Sequence, residues 1–134
     1  MGTETGDGWS SIYAKNMSKK YADNLELLEG AMKDELYGAL VKQLKKDFEL
    51  ANVPMEIPVE IKANDLIAAL REKIYRLLLE RFTDYLNLLY VVDVPEKAFK
   101  ELEVSDVVEV ADEVTFLILK RERQKVWLKN RYSG

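Results

Sequence analysis

Apolar residues recur at helical spacing along most of this chain. Leu36, Leu40, Leu44 and Phe48 stand four apart, joined by Tyr37, Val41 and Ala51, while Lys42, Lys45, Lys46 and Glu49 take the opposite side. That pattern predicts an amphipathic helix from about Lys33 to Ala51. It extends back through Leu25, Leu28 and Met32, with Gly30 as the candidate break. A longer stretch, Asn64 to Tyr90, carries Ile67, Leu70, Ile74, Leu77, Leu78, Phe82, Tyr85, Leu86 and Leu89. Asn64 suits the N-cap. So wide an apolar arc predicts a helix contacted from several sides, at the centre of a bundle.

Between these stretches, Asn52 to Ala63 holds Pro54 and Pro58. Met55, Ile57, Val59 and Ile61 alternate as in a strand, but a lone strand has no neighbour and each proline removes a backbone donor. An extended connector is expected. Asp93-Val94-Pro95-Glu96 reads as a stop and a fresh start, with Pro95 in the first turn of a short helix to about Leu102. Ser105 caps a last helix that runs to about Arg131. Trp9, Ile12, Tyr13, Met17 and Tyr21 fit one helical face, with Asp7 as its cap. The expected fold is all-α: a compact bundle of three long helices plus one or two short ones. Residues 21–134 form the bundle, and residues 1–20 are a flexible or loosely docked N-terminal segment.

The last helix is patterned twice. Val107, Val110, Ala111, Val114, Leu117, Ile118 and Leu128 make one apolar face; Val108, Phe116, Leu119, Val126 and Trp127 make a second, roughly opposite. One face meets the core. The other needs a cover: the N-terminal segment, the short helix or another chain. The helix is also acidic first (Asp106, Glu109, Asp112, Glu113) and basic last (Lys120, Arg121, Arg123, Lys125, Lys129, Arg131), which complements the helix dipole. Trp127 lies among Lys120, Arg123, Gln124 and Arg131. An aromatic ringed by cations marks an interface anchor; it also marks a half-buried tryptophan crossed by long charged stems.

Composition narrows the chemistry. The 134 residues include no histidine and no cysteine. The usual proton shuttle, the thiolate nucleophile and the commonest metal ligands are therefore missing. Glu109 with Glu113, and Glu80 with Asp84, stand one turn apart, as solvated surface acids often do. A helical di-iron site needs Glu-x-x-His motifs that are absent here. Lys73 and Arg81 border the apolar arc as snorkelling side chains. Ser10, Ser11, Ser18 and Ser105 have no histidine base, and no glycine-rich phosphate loop occurs. The chain is read as non-catalytic, without metal or cofactor.

The net charge of −4 argues against a whole-protein grip on nucleic acid. The absence of cysteine fits a reducing compartment. The first twenty residues hold no apolar run, no string is long enough to cross a bilayer, and Gly6 stands where a myristoylation motif needs Ser or Thr. A cytoplasmic protein with no membrane contact is expected.

Two stretches, Leu86-Asn87-Leu88-Leu89-Tyr90-Val91-Val92-Asp93-Val94-Pro95-Glu96 and Ile118-Leu119-Lys120-Arg121-Glu122-Arg123-Gln124-Lys125-Val126-Trp127, resemble a group of small uncharacterised bacterial helical proteins. The likeness spans about Leu36 to Tyr132. It implies a bacterial, all-helical protein and carries over no activity or site residue.

The sequence thus points to a protein-interaction module, self-associating or docking on another protein through Phe116, Leu119, Arg123 and Trp127. The alternative is nucleic-acid contact by Lys120, Arg123, Lys125, Lys129 and Arg131, with Trp127 and Tyr132 stacking on bases.

Overall fold

A computed structural model describes residues 20–100, 102 and 106–133. Among them are six helices and no strand. The expectations placed on residues 7–19 and on a Ser105 cap lie outside the described residues. Helix α1 covers residues 20–33. Then follow α2 (Tyr37–Leu50), α3 (Ala63–Glu80), α4 (Phe82–Val92), α5 (Glu96–Lys100) and α6 (Val107–Ser133). No helix among the described residues is long and apolar enough to cross a membrane.

Three helices stop in the same way, and none of them uses glycine. Glu35, Asn52 and Asp93 have φ of 58°, 62° and 72°. After each, a backbone N–H reaches back five residues: Leu36 to the Ala31 carbonyl (2.8 Å), Val53 to Phe48 (3.0 Å) and Val94 to Leu89 (3.0 Å). These are Schellman stops. In each, the residue after the left-handed one is apolar and buried, as is the residue that accepts its bond. The bond and the hydrophobic contact outweigh the ~1–2 kcal/mol strain of a non-glycine residue in that conformation. Gly30, the expected break, lies inside α1 and the helix runs through it.

The expected long helix Asn64–Tyr90 is two helices, broken at Arg81 (φ −144°, ψ 63°). Its apolar phase does not change across the break. A straight helix would therefore aim Arg81 into the middle of the buried stripe of Leu70, Ile74, Leu77, Tyr85 and Leu88. The break turns Arg81 outward, where it pairs with Asp84. Asn64 lies in the first turn of α3, with Lys62 at the N-cap position.

The connector after α2 is extended, as its prolines imply. Val53 and Ile57 are buried, and the Tyr37 hydroxyl donates to the Ile61 carbonyl (2.6 Å). Asn87 of α4 donates to the Ala51 carbonyl (3.2 Å) and ties the end of α2 to α4. At the start of α6 the Asp106 carboxylate accepts the Val108 N–H (2.9 Å), so Asp106 does the capping.

The helix at the centre is α6, not the Asn64–Tyr90 stretch. Its buried residues Val110, Ala111, Asp112, Val114, Thr115, Ile118, Leu119, Glu122 and Val126 span just over half its circumference. Four elements reach it through polar contacts. Lys20 of α1 approaches Glu113 (3.4 Å), and Arg123 reaches back to the Leu27 carbonyl (3.4 Å). Asp47 of α2 meets Lys125, Arg71 of α3 lies 3.8 Å from Asp112, and Asp93 after α4 meets Arg121 (2.8 Å).

Candidate docking site

The second apolar face of α6 divides. Leu119 is 0% exposed and Val126 is buried as well; both are covered within the chain. Leu119 is thus a core residue and is removed from the candidate interaction set. The reason is geometric: α6 is surrounded over a wider arc than one-sided packing would give. Phe116 is half-buried and Trp127 is 45% exposed, with Leu128 exposed next to it.

These margins border a groove of about 540 Å³ running along α6 beside α1. Leu27, Phe116, Trp127 and Leu128 give it an apolar floor, and Lys120, Arg121, Arg123, Gln124 and Asp34 its polar edges. That volume lies in the range of ordinary ligand clefts. The Lys20 ammonium sits 4.6 Å above the Phe116 ring and the Arg131 guanidinium 5.2 Å from the Trp127 ring, so both rings carry cations on a face.

Arg123 is fixed at the groove's edge. It donates to the Leu27 carbonyl and to Asp34 (3.2 Å). Its guanidinium lies against the backbone of α1 at Gly30. A Cβ there would meet its nitrogens at 2.8 and 2.9 Å. Gly30 is therefore a point of close approach, a role that its place in a helical pattern does not reveal.

The candidate nucleic-acid residues do not form one surface. Lys120 and Arg131 are exposed on the groove side, with Arg123 held between them. Lys125 and Lys129 leave α6 on the other side. The Lys125 ammonium pairs with Asp47 and donates to the Val92 carbonyl (3.1 Å); Lys129 donates to Gln43 (2.8 Å). Arg121 is engaged by the Asp93 carbonyl (3.0 Å) and carboxylate.

On that far side lies a buried polar cluster that sequence reasoning missed. Glu122 is wholly buried, with Asp47 almost so, and Lys125 lies 3.3 Å from the Glu122 carboxyl. Gln43 donates to Asp47 (3.0 Å). Burial pushes the Glu122 carboxyl up to about 9. The neighbouring Asp47 pushes the same way and Lys125 opposes it. Glu122 therefore keeps its proton at neutral pH and acts as a neutral acid beside the Asp47–Lys125 pair. Nearly three turns earlier, burial pushes Asp112 up to about 7, against the pull of Arg71 and with Glu113, Asp106 and Glu109 adding to the rise. The only sequence signal for either group is an acid on the inward phase of α6. Neither group opens onto the groove. Among the described residues, no cluster of three or more acids is placed to hold a metal ion.

No family model, curated protein or solved structure matches the chain.

Proposed function

We propose that this chain is a non-catalytic interaction module whose α1–α6 groove takes an amphipathic segment of another protein, with apolar anchors and acidic flanks. The observation that supports this reading is the groove itself: an apolar floor open to solvent around Trp127, with Lys120 and Arg131 as exposed cations beside it. An aromatic anchor among arginines is the composition of an interface hot spot. Cations at the rim favour an acidic partner. Symmetric self-pairing of the same groove would set Lys120, Arg123 and Arg131 of two copies against one another, so a different protein is favoured there. Among the described residues the carboxyl pushed furthest from its ordinary value, Glu122, is buried away from the groove, which supports a non-catalytic reading.

Nucleic-acid binding is the weaker reading. Lys125 is committed to Asp47, and the remaining bases are split between two sides of α6. The test uses random peptides displayed on phage and selected on the full-length protein. The expected winners pair aromatic or aliphatic residues one turn apart with Asp or Glu. Their affinity falls at least tenfold on Trp127→Ala and weakens with salt. Winners that bind Trp127→Ala as tightly as the parent protein would end the proposal.

A further inference from the structure

A second exposed apolar face lies on α4. Tyr85, Leu88, Leu89 and Val92 point inward. The outward arc is Phe82, Thr83, Leu86, Asn87 and Tyr90, with no charge on it. Phe82 is 55% exposed, Leu86 42% and Tyr90 84%. Leu79, three residues before Phe82 in the last turn of α3, is exposed too. Surface helices normally show charge to water. An aromatic face free of charge is instead the composition of an interface centre.

We propose that two copies of this chain pair through α4, antiparallel about a twofold axis at Leu86. The spacing is self-complementary. Phe82 and Tyr90 each stand four residues from Leu86, so Phe82 of one copy meets Tyr90 of the other, and Leu86 meets itself. Twofold pairing brings like against like, which a neutral face tolerates and the cationic groove does not. The two helix dipoles also oppose, as they should.

The area is adequate for a reversible dimer. At about 200 Å² for a whole large side chain, Leu79, Phe82, Leu86 and Tyr90 expose roughly 500 Å² per copy. Two copies then cover about 1,000 Å², close to the lower bound of specific interfaces. An interface of that size suits a weak, reversible dimer rather than a tight one.

Sedimentation equilibrium of the full chain from low to high micromolar concentration tests this. The average mass should climb from 15.5 kDa toward twice that value. Leu86→Glu sets two carboxylates on the axis and should weaken pairing more than tenfold, with an unchanged circular dichroism spectrum. Trp127→Ala should pair as the parent does, which separates this dimer from the groove. Because the chain has no cysteine, Leu86→Cys should form a disulfide-linked dimer under mild oxidation much faster than Glu72→Cys, exposed elsewhere on α3. A monomer at all concentrations, a Leu86→Glu protein that pairs normally, or equal cross-linking of the two cysteine variants would overturn the proposal.

Discussion

On one side of α6, Glu122 and Lys125 are sealed against Asp47 of α2. On the other, Arg123 and Trp127 stand at the surface beside a groove. These residues fall within six positions of one helix. Their fates differ because α6 is enclosed on three sides and open on the fourth. On the closed side charge is desolvated, so each group must be neutralised: Lys125 by Asp47, and Glu122 by its own proton. On the open side water screens the cations: Arg123 is held by Asp34 at the groove's edge, while Lys120 and Arg131 stand exposed beside it. The run Arg121-Glu122-Arg123-Gln124-Lys125 is therefore not one basic patch. It is fold on one face and recognition on the other.

The largest effect should come from breaking the closed side. Lys125→Met leaves the Asp47 carboxylate buried without its ammonium and should cost about 3 kcal/mol in chemical denaturation. Loss of less than about 1 kcal/mol would show that water reaches the cluster.

The pH dependence of stability belongs to the same closed side and is of comparable size. Glu122 and Asp112 both hold a proton more tightly when folded, with values pushed up to about 9 and about 7. An unfolded chain releases those protons near pH 4. Their contribution to stability is complete below that point and is lost as pH rises through the folded values. One such proton gives a slope of up to ~1.4 kcal/mol per pH unit. The protein should thus be more stable at pH 5.5 than at pH 8.5. Glu122→Gln should flatten the profile and raise stability at pH 8.5. A flat profile in the parent protein would mean that Glu122 ionises freely.

The open side should answer in the reverse sense. Trp127→Ala should cost about 1 kcal/mol or less in stability, since the ring is half in water. It should nonetheless remove most groove binding. Gly30→Ala pushes the Arg123 guanidinium off α1. The helix gains about 1 kcal/mol of propensity and loses a charged hydrogen bond of similar worth. Melting should move little, while peptide affinity changes. A modest effect belongs to neither side: Glu35→Gly relieves the left-handed stop of α1 and should add about 0.5–1 kcal/mol in chemical denaturation.

Much of the fold was legible because most helices bury one clean stripe. Leu36 to Phe48 repeat every four residues, and α2 lies where they do, within a few residues at each end. The break at Arg81 was hidden because the apolar phase continues across it. Only the question of where a straight helix would send Arg81 exposes the conflict. The stops at Asn52 and Asp93 fell where the connector and the Asp93-Val94-Pro95-Glu96 break were expected; the stop at Glu35 was hidden because it replaces the usual glycine and relies on a tertiary contact of the following residue. The site was half legible. Phe116, Arg123 and Trp127 do converge on the groove, but Leu119 does not. The fate of Lys125 depended on Asp47, 78 positions away, which periodicity on α6 alone cannot see.

The central claim is that the groove around Trp127 is open in the folded chain and closes on an acidic amphipathic segment. Acrylamide quenching of Trp127 fluorescence in the Trp9→Phe protein, at concentrations below α4 pairing, tests it most directly. The account predicts ready quenching of the free protein and strong protection when a selected acidic peptide is added. A tryptophan already shielded in the free monomer, or one still quenched with the peptide bound, would contradict it.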